Sequence, residues 1–137
     1  MNFLSTVRDY ITRSAKSDRT DTVLTGSYVS QGEIDVRNYK TLVIFPKWTK
    51  GDETSAEIKI TVLYTSGGTE HQQGVYTNSS GTLSQLAQEY QYTSASTNAV
   101  PIELDVTGFV FIKIYTKATG GTPTGKMKID YIVSNSN

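Results

Sequence analysis

Apolar and polar residues alternate with a period of two in several separate segments from residue 21 onward, which is the pattern of half-buried β-strands. The clearest segment is 56–64, where Ile58, Ile60, Val62 and Tyr64 fall on one face and Glu57, Lys59 and Thr61 on the other. Strand patterns occur at 21–29, 33–36, 40–48, 56–64, 70–77, 86–93, 100–106, 108–117 and 126–133. Some of these nine segments are short or weak, so we count seven or eight strands, with no long helix between them.

Two regions of this pattern allow more than one interpretation. The run from Thr41 to Phe45 has high β propensity throughout, which predicts a central strand with both faces covered. Pro46 then ends the ladder or places that stretch on a sheet edge. Leu83, Leu86 and Tyr90 would also fit a short helix, but we favour a strand near 86–93.

The order of segments limits the fold to one class. Without helices between strands, a parallel βαβ architecture is excluded. The chain has 137 residues, enough for one domain with a single core that buries roughly 68% of the unfolded surface. We therefore predict an all-β protein, an antiparallel two-sheet β-sandwich that is jelly-roll-like or immunoglobulin-like. Alternation does not encode strand order, so both topologies stay open.

The first 20 residues follow a different pattern. Five apolar residues fall at helical spacing there and precede a mixed-charge stretch: Phe3, Leu4, Val7, Tyr10 and Ile11. They predict either a short amphipathic helix that caps the core or an arm that docks on a neighbouring subunit. We divide the chain into an N-terminal arm, 1–20, and a sandwich domain, 21–137.

Composition and charge exclude several classes of protein. The formal net charge is zero, whereas a nucleic-acid binder needs a basic excess to neutralise phosphates. The chain has no cysteine and no apolar run of about 20 residues, so we expect neither thiolate chemistry nor a membrane span. Arg8 and Asp9 interrupt any secretory signal, which predicts a protein made in a cytoplasm.

Candidate catalytic and metal-binding residues are few. His71 is the only histidine, and no nucleophile elbow accompanies it, so a solvated histidine is the simpler interpretation. Glu103 and Asp105 share a strand face, and Asp52 and Glu53 are adjacent in a turn, as ordinary outward and turn residues are. No calcium-loop motif occurs. We predict no catalytic residue, no cofactor and no metal, and hence no enzyme.

Aromatic and basic residues suggest two kinds of binding surface. Exposed aromatic rings could stack on sugars, and the candidates are Trp48, Tyr76, Tyr90 and Tyr92. If the two last strands pair through the 118–125 turn, their lysines form a basic strip: Lys113, Lys117, Lys126 and Lys128. Such a strip either protects an edge strand from aggregation or contacts an acidic neighbour.

The C-terminal part carries a family resemblance. In it, the strand Ile102–Val106 (IELDV) gives way to GFVFIKI at 108–114, followed by a Gly/Thr/Pro loop and a closing strand. Residues 99–132 thereby resemble the C-terminal half of small jelly-roll virion proteins of tailed bacteriophages. The segments 40–48 and 52–71 fit the earlier strands, so the resemblance spans roughly residues 21–133.

The resemblance implies assembly contacts and no catalysis, and it transfers no individual active residue. It leads us to expect a capsid decoration or stabilising subunit in the virion, present in repeated copies. Coat proteins would be bound through sheet edges, the N-terminal arm and the loops 46–55 and 118–125. The alternatives are a neck or tail accessory subunit, and a carbohydrate-binding or receptor-binding module of a tail or fibre tip.

Overall fold

The structure is a computed structural model that describes residues 22–87, 89–93 and 99–135. The predicted N-terminal arm lies outside these residues, as do the side chains of 75–77 and 85–87. All regular secondary structure in the described part is β, which confirms the predicted fold class. No helix in the described part is long and apolar enough to cross a membrane.

Eleven strands occur in the described residues. They are β1 (Thr22–Val23), β2 (Val29–Asp35), β3 (Thr41–Thr49), β4 (Ser55–Leu63), β5 (Glu70–Gln72), β6 (Gly74–Ser79), β7 (Thr82–Ala87), β8 (Glu89–Tyr92), β9 (Ile102–Asp105), β10 (Phe111–Thr119) and β11 (Lys126–Ser134). The ambiguous segment near 86–93 was predicted to be one strand, whereas its described residues belong to the end of β7 and to β8, which lie in different sheets.

The strands pair in a nested order. β1 pairs with β11, β2 with β10, β3 with β9, and β4 with both β5 and β8, always antiparallel. Sheet A has the order β1-β11-β3-β9, and sheet B has the order β2-β10-β4, followed by β5 and β8 on the same edge of β4. Pairing first with last and inward to the middle is the arrangement of a jelly roll, so this topology replaces the immunoglobulin-like alternative.

The core lies between the two sheets, where alternate residues of each strand are buried. Its largest fully buried side chains are Leu42, Ile44, Trp48, Ile58, Ile60, Ile112 and Met127. Each such aliphatic side chain stabilises the fold by about 1.5–3 kcal/mol relative to an exposed one. Because β3 and β10 each bury one face only, buried and more exposed residues alternate along both strands.

Strand β3 is central in sheet A, but the prediction that both of its faces are covered is wrong. Phe45 is 41% exposed, because among the described residues sheet A packs on sheet B with one face only. Pro46 lies inside β3 opposite Ile129. β9 pairs with β3 only as far as Ile44, so at Pro46 one side of β3 is a sheet edge. A proline, which has no N–H to donate, is tolerated at such an edge, as the sequence suggested.

The last two strands do not form a hairpin. β10 lies in sheet B between β2 and β4, and β11 lies in sheet A between β1 and β3. The Gly/Thr/Pro segment 120–125 therefore crosses from one sheet to the other. The condition for the basic strip, that these two strands pair with each other, is therefore not met.

Candidate interaction surfaces

A hairpin interrupts the strand that pairs with the outer edge of β4. After β5, the backbone N–H of Gln73 donates to the carbonyl oxygen of Ile60 at 3.2 Å. Glu89, the first residue of β8, lies opposite Lys59, the next residue along that edge. Gln73 and Glu89 thus occupy successive positions beside β4. Residues 74–88 are an insertion into an otherwise continuous strand.

The inserted residues form the hairpin β6–β7, which is a two-stranded sheet of its own. Its two-residue turn, Ser80 and Gly81, has positive φ angles of 49° and 83°, which is the geometry of a type I′ turn. The Asn78 side-chain oxygen accepts from the Gly81 N–H at 3.1 Å and stabilises this turn. Leu83 near the tip is 68% exposed. The hairpin therefore presents backbone and apolar surface outside the sandwich sheets.

Two clefts meet at Phe109, at the end of the sandwich that carries the 36–40 and 107–110 turns. The larger cleft has a volume of about 830 Å³. Arg37 and Asp35 form an ion pair at 2.6 Å beside it, and the Arg37 guanidinium carbon lies 5.2 Å from the centroid of the Phe111 ring. The Arg37 hydrogen bond is the main reason why the pKa of Asp35 lies below its ordinary value. This cleft combines an aromatic ring with paired charges.

The smaller cleft has a volume of about 430 Å³ and lies between Phe109 and the start of the inserted hairpin. Tyr64 and His71 line it, and Tyr64 is 81% exposed. Tyr64 continues the alternating pattern of Ile58, Ile60 and Val62, but β4 ends at Leu63 and leaves the Tyr64 ring in solvent. Neither Tyr64 nor Phe109 was among the aromatic residues predicted to lie on a binding surface.

A third cleft, of about 440 Å³, lies beside β8 and the start of β9. Tyr92 lines it but is only 4% exposed, and its hydroxyl donates to the Val100 carbonyl oxygen at 2.9 Å. Burial, with a smaller effect of Tyr90, raises the pKa of Tyr92 to about 12. Tyr90 is half-buried against the core. The two rings therefore do not form a shared exposed platform, and Val100 in the same cleft is 48% exposed.

The other two predicted sugar-stacking residues give no support to that site. Trp48 was expected to be an exposed aromatic residue, but its ring is fully buried because it lies on the inward face of β3. Tyr76 lies opposite Gln85 in the hairpin, and its side chain is outside the described part. The five apolar candidates for partner binding in the N-terminal arm, Phe3, Leu4, Val7, Tyr10 and Ile11, also lie outside the described residues.

Cations cover aromatic rings on the outer face of sheet B. Lys59 Nζ lies 4.5 Å from the Tyr28 ring centroid and 4.8 Å from that of Tyr115. Lys117 lies 4.7 Å from the Tyr28 centroid, and Lys113 lies 5.3 Å from that of Tyr115. These are cation–π distances, so Lys113 and Lys117 are both engaged within their own sheet.

Glu70 balances part of this positive charge. Its carboxylate accepts hydrogen bonds from the Tyr115 hydroxyl and from Thr61 Oγ1 at 2.9 Å, and lies 3.9 Å from Lys113 Nζ. The Tyr115 bond is the main reason why the pKa of Glu70 lies below its ordinary value. Hydrogen bonds, charges and cation–π contacts thus join β4, β5 and β10 across this face.

The predicted basic strip is not formed. Lys126 and Lys128 lie on the outer face of sheet A, where Lys128 is opposite Lys47. Lys113 and Lys117 lie on the outer face of sheet B, on the far side of the core. Because β10 and β11 belong to different sheets, no contact can join the four lysines into one surface.

The acidic candidates and His71 lie apart. Glu103 and Asp105 are on the outward face of β9, and His71 is exposed on β5. A hydrogen bond from the Thr107 backbone N–H to the Asp105 carboxylate, 3.0 Å long, is the main cause that lowers the pKa of Asp105. Within 22–87, 89–93 and 99–135, no group of three or more His, Cys, Asp or Glu residues is placed to hold a metal ion.

Glu53 has a structural role that the sequence did not reveal. Its side chain is fully buried, and its carboxylate accepts from the backbone N–H of Gly125 at 2.6 Å and of Gly51 at 2.8 Å. The carboxylate thereby joins the 50–54 turn to the 120–125 crossover. These two segments were expected to be docking loops, but much of their polar backbone is used to hold each other.

No protein-family model matches the chain, and a search of curated proteins gave no match. Among solved structures, the chain is similar to the SPBc2 prophage-derived protein YomS. The TM-score is 0.48 and the sequence identity is 18%, over 90% of this chain and 92% of that chain. At these values the likeness gives no information about function.

Proposed function

We propose that the protein is a non-enzymatic structural protein of a phage virion, a capsid decoration or stabilising subunit that binds coat proteins. The observation that carries the proposal is the β6–β7 hairpin, which interrupts the strand that pairs with the outer edge of β4. The nested jelly-roll pairing also agrees with the resemblance of residues 21–133 to small virion proteins.

The hairpin is suited to docking because it adds little to the sandwich itself. β6 and β7 pair with each other and belong to neither sandwich sheet. An isolated two-stranded hairpin is only marginally stable in water, so contact with a partner would stabilise it. Its outer edges can add a partner strand through backbone hydrogen bonds, with Leu83 as an apolar contact. Repetition over many copies would compensate for the small area of each contact.

A precise deletion tests this function. Joining Gln73 directly to Glu89 removes residues 74–88 and should leave a continuous strand in register along β4. The deletion variant should fold but be lost from purified particles, as measured by quantitative mass spectrometry. The full-length Gly26→Ala variant is the control, because a methyl group there meets nothing within 4 Å.

The same measurement on the full-length protein distinguishes the possible roles. A copy number comparable with the major coat protein is expected for a decoration subunit, and a few copies per particle would indicate a neck, tail or fibre component. Complete absence from particles would refute the virion function. Normal incorporation of a folded deletion variant would refute docking through the hairpin only.

A second candidate function is a carbohydrate-binding or receptor-binding module, favoured by the two clefts that meet at Phe109. Exposed Phe109 and Tyr64 offer rings for stacking, and the Asp35–Arg37 pair offers polar groups for sugar hydroxyls. Tyr64→Ala together with Phe109→Ala should erase glycan retention on an array. Tyr90→Ala should leave retention unchanged, because that ring lies at the third cleft.

A further inference from the structure

The two turns beside the larger cleft share a sequence pattern and a backbone geometry. The segments are 34–39 (IDVRNY) and 104–109 (LDVTGF). In both, the N–H of the last residue donates to the valine carbonyl oxygen, at 3.1 and 2.9 Å. The residue before the last, Asn38 or Gly108, has a positive φ of 68° or 85°. This is the geometry of a type II turn, which favours Gly or Asn at that position.

Backbone hydrogen bonds join the two turns symmetrically. The Val36 N–H donates to the Val110 carbonyl oxygen at 3.0 Å, and the Val106 N–H donates to the Lys40 carbonyl oxygen at 2.8 Å. Next to the turns, β2 pairs with β10 in the register in which β9 pairs with β3. The turns are therefore related by an approximate two-fold axis. A side chain that differs between them is not required to form the turn.

The aspartate has the same structural role in both turns. Asp35 Oδ1 accepts from the Arg37 backbone N–H, and Asp105 Oδ1 accepts from the Thr107 backbone N–H, both at 3.0 Å. The second turn thus forms the same backbone bonds with a threonine at the position of the arginine. The Arg37 guanidinium is therefore not needed to close its turn.

Arg37 is nevertheless held in a fixed orientation, with donors to spare. Its Nε and Nη2 donate to the Asp35 carboxylate, and its guanidinium carbon lies 5.2 Å from the Phe111 ring centroid. Within the part of the chain that the structure describes, Nη1 has no hydrogen-bond partner. A guanidinium positioned in this way is pre-organised to donate to a further carboxylate or to hydroxyl groups.

Lys40 adds a second cation to the same cleft. It is exposed and forms no ion pair among the described residues, and in the second turn its position is occupied by Val110. The charged residues that line the larger cleft are Asp35, Arg37 and Lys40, so two cations lie against one carboxylate. Phe109 lines the cleft with a ring that is 36% exposed. The cleft is therefore suited to a ligand that carries negative charge.

We propose that the larger cleft binds an acidic saccharide, whose sugar rings carry carboxylate groups. Arg37 and Lys40 bind the carboxylate, and the Phe109 ring stacks on the apolar face of a sugar ring. Asp35 accepts hydrogen bonds from sugar hydroxyls and would repel a second carboxylate, which disfavours a peptide with many acidic residues. The volume of about 830 Å³ is in the range of ligand clefts. This ligand class rests on the second candidate function, the binding of carbohydrates.

A comparison of charged and neutral ligands tests the proposal on the full chain. An array of oligogalacturonate, alginate and hyaluronate fragments, sialyllactose and neutral oligosaccharides identifies the acidic saccharide that binds most tightly. Isothermal titration calorimetry then compares this saccharide with its methyl ester and with hexaglutamate. The free acid should bind at least about tenfold more tightly than the ester, because only its carboxylate forms charge-assisted hydrogen bonds.

The second turn supplies the variants. Arg37→Thr and Lys40→Val introduce the side chains that the second turn carries at these positions, and so should fold. Each should weaken binding of the free acid by about tenfold and change binding of the ester by less than about threefold. Lys47→Val is the matched control, because it removes an exposed lysine near the other end of β3. If Arg37→Thr does not fold, Lys40→Val alone tests the proposal, since it leaves the Asp35–Arg37 pair in place.

Equal binding of the acid and its ester would overturn the proposal and leave the second candidate function standing. Retention of neutral saccharides alone would do the same. Hexaglutamate that binds as tightly as the saccharide, or a Lys40→Val protein with unchanged affinity, would also overturn it. If the array retains no saccharide at all, this inference and the second candidate function fail together.

Discussion

The buried carboxylate of Glu53 gives the sharpest prediction about stability. It accepts backbone N–H groups from Gly51 and Gly125, and so joins the two segments that connect β3 to β4 and β10 to β11. Replacing Glu53 with Ala leaves both N–H groups without this acceptor. Replacing Gly125 with Ala places a Cβ in overlap with the carboxylate and 2.7 Å from the Thr49 carbonyl oxygen.

The magnitude follows from the hydrogen bonds. A hydrogen bond to a charged group contributes about 1.5–3 kcal/mol, so Glu53→Ala, which removes two of them, should lower the free energy of unfolding by about 3–6 kcal/mol. Glu53→Gln keeps the shape and one acceptor but turns an NH₂ group toward a donor, for a loss of about 1.5–3 kcal/mol. For a domain of this size, the Ala variant should melt about 10–20 °C below wild type.

Urea unfolding with unchanged m-values measures these losses directly. Gly26→Ala is the matched glycine control and should be neutral or stabilising by about 0.4–1 kcal/mol. Combining Gly125→Ala with Glu53→Ala should cost less than the sum of the single changes, since the overlap with the carboxylate disappears. A Glu53→Ala protein within about 0.5 kcal/mol of wild type would refute the reasoning.

Three further predictions concern other parts of the chain. Glu33 accepts from Ser66 Oγ at 2.7 Å and from the Gly67 N–H at 2.8 Å, and the Ser66 bond foremost lowers its pKa below the ordinary value of 4.5. Its contribution to stability should be present above about pH 4.5 and lost as pH falls through the folded pKa; an NMR titration of Glu33 with an ordinary midpoint would contradict this. Gly81→Val should speed hydrogen exchange in the hairpin but not in β4 or β10, because φ at Gly81 is 83°; equal protection in both proteins would argue against the turn. Deleting residues 1–18 should abolish docking on particles and leave the circular dichroism of the β-core unchanged; normal incorporation would rule out a docking arm.

Much of the fold could be predicted from local alternation. The segments 56–64 and 126–133 became β4 and β11 within one or two residues, since one buried face fixes the period of each strand. The sheet to which a strand belongs was beyond such reasoning. A turn-rich link such as 120–125 can close a hairpin or cross between sheets, and only pairing with distant strands decides which.

The surfaces were harder to predict than the core. Trp48 and Tyr92 are of the residue types that stack on sugars, but both side chains are buried. Tyr64 is exposed because β4 ends one residue before it, at Leu63. In the sequence, Glu53 has the pattern of an ordinary turn residue. One of its two N–H donors, Gly125, is distant in sequence, so the contact could not be predicted from the turn alone. Residue type alone does not distinguish a surface side chain from one that holds two loops together.

The position of the hairpin has a consequence for assembly. The hairpin leaves the outer edge of β4 in sheet B, and the core separates this edge from sheet A. A subunit that docks through the hairpin would therefore not use the outer surface of sheet A in that contact. If many copies dock on one particle in this way, their weak contacts combine by avidity, and loss of the hairpin should release the subunit far more readily than the isolated affinity of one hairpin suggests.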